Sequence, residues 1–463
     1  MPHALRPARL ALALAALALV LAAAAAAPAH AARSMDIGIA DDRVLLDGSD
    51  AAATAAVEAW SGLGVDVVRI HALWGRIAPR LRQTRMPAGF DPRDPESPQY
   101  NWSRLDRAIG LVRAHGMRVL LTVTGYGPWW GSSVPLHRDI RYKPDPGRFA
   151  AFATAVARRY GDRVDDYIVW NEPNQRTWLR PQWTCRRGRC TPASPHLYRR
   201  ILLQAIPAIR AADPGARIIV GSLAPRGSTP HRADDQMRPM PFLRALGCVD
   251  ARYRRYRGGS CRGFSAPVAD GFAIHAHGLK ASPTTPSPNP DNVQIADLPR
   301  LEHALDAVTR ARGLRKRGGG RFGLWIDEYG YQTNPPDRYL GVRPAIQAAW
   351  LQLGAYKAWH DPRVRNLTQY VWRDEPLSRL NTWQSGLRYA SGRAKPALAG
   401  FRAPFWPVRR SLSTVALWGQ VRPGGATTVR LERRVGRTWR QVGSARTDAR
   451  GAFQRTIRAR GAV

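Results

Sequence analysis

The sequence predicts an α/β protein, a (β/α)8 TIM barrel followed by a small, sandwich-like all-β module, and three observations support this fold class. Apolar runs of strand length alternate with amphipathic helical runs between residues 35 and 403. Several of these strand-length runs are continuously apolar, as in parallel strands that are covered on both faces. No Gly-rich strand–turn–helix motif accompanies them, so an open doubly wound sheet is the second choice.

The beginning of the chain is typical of an export signal. Arg6 and Arg9 precede a long apolar run, and Ala29-His30-Ala31 has small residues at the positions that a signal peptidase reads. We therefore predict that residues 1–31 are a signal peptide, with an uncleaved membrane anchor as the alternative. The mature chain would be secreted, either free or associated with the cell wall, and would not stay inserted in a membrane.

Eight strands and their helices are predicted in the barrel domain, residues 35–403. The strands are Met35–Ala40, Val65–Ile70, Arg118–Thr124, Asp166–Trp170, Arg217–Leu223, Ala269–His275, Phe322–Glu328 and Val364–Trp372. The helices with the clearest periodicity are Ala51–Trp60, Leu105–His115, Arg148–Tyr160, Leu197–Ala211, Leu298–Arg312, Ala345–Trp359 and a final one near Pro396–Phe401. Long segments follow strands two and six, at 75–99 and 278–296, and are expected to shape a site at the carboxyl ends of the strands.

Residues 412–463 differ in character from the barrel domain. Apolar and polar residues alternate there, with turn signals at 423–425 and 448–451. The pattern predicts a small β-module that resembles those appended to secreted actinobacterial enzymes. About fifty residues is short for a β-sandwich, so a complete small module and an incomplete one both remain open.

The chain is strongly basic, with 71 Lys and Arg residues against 34 Asp and Glu residues and a net charge of +37. The basic residues are spread along the chain and no nucleic-acid-binding motif accompanies them, so we expect no nucleic-acid partner. Two interpretations of the charge remain. One is the composition that a GC-rich genome imposes, and the other is affinity for an anionic polysaccharide or cell-wall surface.

The four cysteines flank two basic loops. Since export permits disulfides, pairing of neighbours, Cys185 with Cys190 and Cys248 with Cys261, is the simplest of three connectivities. Their spacing does not suit zinc, and no phosphate loop or Ser-His-Asp arrangement is evident. We therefore predict neither a metal nor a cofactor.

Two glutamates stand where apolar strands meet their loops. Glu172 belongs to a Trp-Asn-Glu-Pro motif at the end of strand four, and Glu328 belongs to an Asp-Glu-Tyr-Gly motif at the end of strand seven. A barrel places both on one rim, facing a common centre. Glycosidic cleavage needs two such carboxylates, one to protonate the leaving oxygen and one to attack the anomeric carbon or activate water. Asp327 is expected on the opposite face, because side chains alternate along a strand.

These motifs, with a Trp at strand eight, resemble the clan of retaining (β/α)8 glycoside hydrolases that includes cellulases, β-xylosidases and β-galactosidases. The resemblance covers about residues 35–403 and implies hydrolysis of O-glycosyl bonds, with β-linkage inherited from the clan. It implies that Glu172 is the acid/base and Glu328 the nucleophile. It also implies that Asn171 contacts the sugar 2-hydroxyl, that Arg69 lies near the nucleophile and lowers its pKa, and that Trp372 forms the floor of the −1 subsite.

The chain departs from the clan at strand six, which ends His275-Ala276-His277 where many members have His-x-Tyr. His277 therefore stands in place of a Tyr that touches the nucleophile, and we predict both histidines to bind substrate. Aromatic residues in strand-following loops are further subsite candidates, because sugar rings stack on indole. They are Trp74, Tyr126, Trp129, Trp130, Trp178 and Trp183, and at least one of the adjacent Trp129 and Trp130 is expected in a subsite.

The sequence thus predicts a secreted retaining glycosidase that cleaves a polysaccharide or oligosaccharide by a two-glutamate double displacement. The alternative is a non-catalytic or transglycosylating glycan-binding barrel associated with the cell wall. Retention of both glutamates favours the enzyme, since binding alone needs neither.

Overall fold

The structure is a computed structural model that describes residues 34–377 and 382–458. Eight parallel strands form a closed barrel, so the predicted (β/α)8 fold is confirmed. The strands are β1 Asp36–Ala40, β2 Val67–Leu73, β3 Arg118–Thr124, β4 Asp166–Val169, β5 Arg217–Leu223, β6 Gly271–His275, β7 Gly323–Tyr329 and β8 Val364–Tyr370. The predicted signal peptide, residues 1–31, lies outside the described residues.

The interior of the barrel is apolar towards the amino ends of the strands and polar towards their carboxyl ends. Each strand pairs with its neighbours in sequence, and β8 pairs with β1 to close the ring. One inward-facing apolar layer consists of Val67, Leu120, Ile168, Ile219, Ala273 and Trp325. Because every second residue of a strand faces the same side, the next inward residue on β2 after Val67 is Arg69. A polar layer therefore lies directly above an apolar floor, towards the carboxyl ends of the strands.

A helix follows each barrel strand. The helices are α1 Asp50–Gly62, α2 Ser103–Ala114, α3 Pro146–Tyr160, α4 Ser194–Ala212, α5 Pro239–Leu246, α6 Leu298–Arg310, α7 Pro344–Trp359 and α8 Pro396–Arg402. Six of these eight have a Pro in their first two positions, where its missing N–H has no partner to lose. Of these eight helices, only α5 has no counterpart among the predicted ones, because its eight residues give too short a periodicity.

The C-terminal strands form two antiparallel sheets. The strands are β9 Phe405–Arg409, β10 Thr414–Gln420, β11 Thr428–Val435, β12 Thr438–Arg446 and β13 Ala452–Arg458. Strands β9, β10 and β13 make one sheet, β11 and β12 make the other, and an apolar cluster that includes Leu417 and Leu431 lies between them. Strand β9 lies in the segment that the sequence analysis left between the two domains. Trp418 of β10 packs against Trp359 of α7, with ring centroids 5.8 Å apart, so the module contacts the barrel.

Both disulfides have the predicted neighbour pairing. Cys185–Cys190 closes a hairpin in the loop after β4, and Cys248–Cys261 ties the segment after α5. In the described part of the chain, no helix is both long enough and apolar enough to cross a membrane.

Candidate active site

The carboxyl ends of β4 and β7 bring Glu172 and Glu328 to one nitrogen of His275. His275 Nδ1 lies 2.9 Å from Glu172 Oε1 and 3.3 Å from Glu328 Oε2. His275 ends β6 and is completely buried, whereas the side chain of Glu172 is 19% exposed and that of Glu328 is 6% exposed. The two carboxylates therefore contact the same nitrogen atom, and we call this group of residues the catalytic centre. Glu172 is the more exposed of the two carboxylates.

Arg69 of β2 binds Glu328 and Asn171 in this centre. Its Nη1 donates to Glu328 Oε1 at 2.7 Å, and its Nη2 donates to Asn171 Oδ1 at 2.5 Å. The side chain is only 1% exposed, so these charge-assisted hydrogen bonds lie out of water. Arg69 thus lies beside Glu328, as the resemblance implies, and it also orients the amide of Asn171.

Asp327 lies in the same network, which corrects the expectation that it faces away. Its Oδ2 is 3.2 Å from Arg69 Nε and 3.3 Å from His275 Nε2, and the side chain is fully buried. Strand β7 has irregular register with both of its neighbours across Ile326–Glu328. Simple alternation fails at such an irregularity, so adjacent residues both reach the interior.

Ser222 is a member of the network that the sequence analysis missed. Its hydroxyl donates to Asp327 Oδ2 at 2.7 Å and lies 2.9 Å from His275 Nε2. Ser222 has a φ of +48°, and the register of β5 with β6 shifts between Val220 and Leu223. The only signal in the sequence is a hydroxyl near the end of an otherwise apolar strand.

The charges of this network set the protonation states. Burial alone would raise the pKa of Glu328, but the positive charges of His275 and Arg69 outweigh it and hold that pKa well below its usual range. Burial would likewise lower the pKa of His275, but the carboxylates of Glu328 and Asp327 raise it to about 10. At neutral pH the site therefore contains an ionised Glu328 beside a protonated His275.

His275→Gln is expected to shift the acid limb of the pH–activity profile upward. A nucleophilic carboxylate is active only when ionised, so activity falls as the pH drops through its pKa. Removing the imidazolium charge raises the pKa of Glu328, and we expect a shift of about one to three pH units in kcat/KM. The control is His231→Gln, since His231 is exposed in the loop after β5. An acid limb that stays in place would show that His275 does not set the charge of Glu328.

His277 contacts Glu328 and forms part of an aromatic wall. Its Nε2 lies 3.5 Å from Glu328 Oε2, so a histidine makes the contact for which many clan members use Tyr. The ring stacks on Trp383, with centroids 5.1 Å apart, and lies 5.9 Å from the ring of Tyr370. Tyr370 and Trp383 are half-buried, and neither was a candidate from the sequence.

Trp372 makes contacts other than those of this wall, and its position at the floor of the site stays a prediction. The residue is 5% exposed and packs edge-on against Trp60 of α1, with centroids 6.4 Å apart. The guanidinium of Arg388 covers its ring at 4.9 Å. Strand β8 ends at Tyr370, so the alternation along the strand does not extend to Trp372, which turns towards the helices.

The loop tryptophans divide between core and surface. Trp74 and Trp130 are fully buried, and Trp74 packs against Phe149 and Phe152 behind the barrel. Neither ring offers a face to a sugar, so their assignment to subsites is wrong. Trp129 is half-buried and lines an open cavity, which leaves it as the member of the pair that can contact substrate.

Three other aromatic candidates have separate surroundings. Tyr126 is half-buried at the end of β3, and Trp178 stacks on His71 with ring centroids 5.7 Å apart. Trp183 is 7% exposed and donates its indole N–H to the carbonyl of Asp235 at 2.8 Å. Tyr126 and Trp178 therefore remain candidates for substrate contact, whereas Trp183 supports the loop that follows β4.

Trp74→Ala is expected to lower the free energy of unfolding by about 3–5 kcal/mol, the usual cost of deleting a buried aromatic side chain. Chemical denaturation measures this loss. The matched control is Trp129→Ala, which should cost less stability because that ring lines an open cavity. If Trp74→Ala instead raises KM and leaves stability intact, Trp74 is a substrate contact after all.

One set of residues in the site has the donors of a metal centre. The ligand atoms of His275, His277 and Glu328 all lie within 4.8 Å of one another. However, Arg69 already donates to Glu328, and His275 carries a positive charge. The guanidinium of Arg69 would repel a cation bound at this carboxylate.

The comparisons with known proteins agree with this fold. Residues 40–239 match the family model of cellulase, glycosyl hydrolase family 5. The match includes Glu172 but ends before β6 and β7, so Glu328 is assigned from its motif and geometry. No curated protein matches the chain.

Solved structures resemble the chain at low sequence identity. A family 39 glycoside hydrolase from Bacteroides cellulosilyticus is 15% identical, with a TM-score of 0.51, over 91% of this chain and 79% of that one. A glucosidase from Croceicoccus marinus is 14% identical, with a TM-score of 0.54, over 90% and 81%. A family 39 β-xylosidase from Caulobacter crescentus is 15% identical, with a TM-score of 0.50, over 89% and 82%. These likenesses show the fold, and with the family match they confirm the resemblance to the (β/α)8 glycoside hydrolase clan.

Proposed function

We propose that this chain, a glycosidase with a cellulase-type (β/α)8 domain, hydrolyses β-linked O-glycosidic bonds in a polysaccharide or oligosaccharide with retention of configuration. The observation that carries the proposal is the shared contact of Glu172 and Glu328 with His275 Nδ1, at 2.9 and 3.3 Å. One oxygen of each carboxylate therefore lies within the sum of those distances of the other, and this closeness supports a retaining pair, whose carboxyl groups are about 5–5.5 Å apart.

In the first step, the carboxylic acid of Glu172 gives its proton to the glycosidic oxygen while Glu328 attacks the anomeric carbon. The bond to the leaving sugar breaks, its alcohol departs, and a glycosyl ester forms on Glu328. Arg69 and protonated His275 support the role of Glu328, because both keep its carboxylate ionised before attack. With its Oδ1 held by Arg69, Asn171 presents its Nδ2 donors to the sugar 2-hydroxyl.

In the second step, Glu172 is ionised and takes a proton from water. The resulting nucleophile attacks the anomeric carbon, the ester to Glu328 breaks, and the free sugar leaves with its original configuration. The greater exposure of Glu172 supports this role, because the base of this step must reach a water molecule. The buried position of Glu328 supports the other role, since its ester must be shielded until that water attacks.

We further propose that the protein is secreted. The basic segment after the barrel gives a route to cell-wall association. The two disulfides support secretion, because disulfides form and persist in oxidising compartments. The export-type sequence at the beginning of the chain supports secretion as well.

The experiment is reducing-sugar release by residues 32–463 from neutral β-glucans, mannan, xylan, galactan and acidic exopolysaccharides, with Glu328→Gln in parallel. Release from one glycan by the natural chain alone supports the proposal, and the anomeric configuration of the first product tests retention. If nothing is released but a glycan is retained in a pull-down, the glycan-binding alternative is correct. If a new oligosaccharide appears with little free reducing sugar, the chain is a transglycosylase.

A further inference from the structure

An open cavity lies on the carboxyl-end face of the barrel, between the loops that follow β2 and β3. Its volume is about 510 Å³, within the range of ligand-binding pockets. Arg82 of the first loop lines it together with Trp129, Arg138, Asp139 and Arg141 of the second. We name it the Trp129 pocket.

The indole of Trp129 gives the pocket an aromatic surface held by its backbone. Trp129 N donates to the carbonyl of Leu81 at 2.9 Å, and Trp130 N donates to that of Gln83 at 2.8 Å. Trp130 points into the core, while Trp129 is half-buried and faces the cavity. A fixed, partly exposed indole is the surface on which the apolar face of a sugar ring stacks.

Three arginines give the pocket a positive charge, and no carboxylate of its lining pairs with them. Among the residues that the structure describes, no carboxylate forms an ion pair with Arg82, Arg138 or Arg141. The one acid in the lining, Asp139, is engaged by Arg180 at 2.6 Å. Arg141 also has a buried Nε with no hydrogen-bond acceptor. Three guanidinium groups are therefore available to an anion, which arginine binds through paired N–H donors.

The pocket is joined to the loop that carries Glu172. Arg180 N donates to the carbonyl of Arg141 at 2.9 Å, and Lys143 N donates to the carbonyl of Arg180 at 2.8 Å. Arg180 lies in the loop after β4, eight residues beyond Glu172. The second loop of the pocket therefore packs against the loop that follows β4, whose first residues include Glu172.

We propose that the Trp129 pocket is a subsite for an acidic sugar residue of the substrate. The sugar ring stacks on Trp129, and its anionic substituent is held by Arg82, Arg138 and Arg141. The inference deepens the proposed function, because it names the substrate as an anionic glycan, with either a uronate carboxylate or a sulfate ester as the charged group. It also gives part of the high positive charge a specific use.

The test is calorimetric binding at about 0.15 M salt, where long-range charge effects are screened. The protein is the full chain with Glu328→Gln, which prevents turnover. The probes are an oligoglucuronate, its neutral methyl ester and a sulfated oligoglucan. A double variant of the pocket, Arg82→Gln with Arg138→Gln, is compared with a control double variant, Arg310→Gln with Arg317→Gln. We call them the pocket pair and the control pair. In the control pair, Arg310 is the last residue of α6 and Arg317 lies before the amino end of β7, so the pair is on the opposite face and removes the same charge.

We expect at least one anionic probe to bind about tenfold or more tightly than the neutral ester. The pocket pair should abolish that preference and the control pair should keep it, while Trp129→Ala should weaken all probes that bind. The favoured probe then tells carboxylate from sulfate. Equal binding of charged and neutral probes, or an equal loss in the control pair, would overturn the subsite. Hydrolysis is not used in this test, so failure of the subsite is distinct from failure of the proposed function.

Discussion

Glu328→Gln is expected to lower kcat by roughly four orders of magnitude or more, because loss of a covalent nucleophile removes the whole reaction path. The amide has nearly the shape of the carboxylate but cannot form the glycosyl ester. Turnover of an aryl glycoside measures the loss. Glu58→Gln, on the exposed face of α1, is the matched control and should retain full activity.

A loss of activity shows that Glu328 is needed but not what it does. The stereochemistry of rescue by azide tests whether Glu328 is the nucleophile. In Glu328→Ala, azide can enter the vacated space and attack the anomeric carbon of a β-glycoside once, so the product should be the α-glycosyl azide. In Glu172→Ala, the ester on Glu328 still forms and azide attacks from the other side, so the product should be the β-glycosyl azide. If the two variants give the reverse products, the two roles are exchanged.

The fold was accessible from the sequence because its signals are local. Most barrel strands are rich in apolar residues, and a Pro in the first turn marks the start of most helices. The two glutamates could be placed because each lies close to the carboxyl end of such a strand. Their partner His275 was found for the same reason, at the end of β6.

The errors in the site arise where local regularity fails. Asp327 was assigned to the outer face by alternation, yet irregular register in β7 brings it to Arg69 and His275. The prediction for Trp372 rests on its position near the end of β8, where the strand ends at Tyr370 and the Trp372 ring packs on Trp60. Trp383 was missed because its stacking on His277 joins two loops more than a hundred residues apart in sequence.

The C-terminal module is attached to the barrel, which affects how an anchoring role can be tested. Trp418 packs on Trp359 and Tyr356 of α7, and Arg450 pairs with Asp66 at 2.5 Å, just before β2. Deleting residues 412–463 would expose these barrel residues to water. A loss of activity after deletion would therefore report lost packing as well as lost anchoring. Replacing exposed arginines of β12 tests the association with the cell wall without removing these contacts.

Glu172→Gln is expected to act differently on different leaving groups. With a natural glycan, whose leaving alcohol needs a proton, we expect kcat/KM to fall by about 10²–10⁴-fold, the usual contribution of a general acid. With a dinitrophenyl glycoside, whose leaving group departs as the anion, kcat/KM should change little. The first step of that reaction needs only Glu328, which keeps its contacts with Arg69 and His277.

The second step still needs a base, so the same variant should accumulate the ester on Glu328. With the dinitrophenyl substrate we expect a burst of dinitrophenolate followed by slow turnover, which stopped-flow absorbance can resolve. Glu96→Gln, with its side chain 79% exposed, is the control and should show no new burst. An equal loss on both substrates would mean that Glu172 does not supply the proton. Because Glu172 is the more exposed of the two carboxylates at His275, it is the one placed to exchange that proton with the leaving group and then with water.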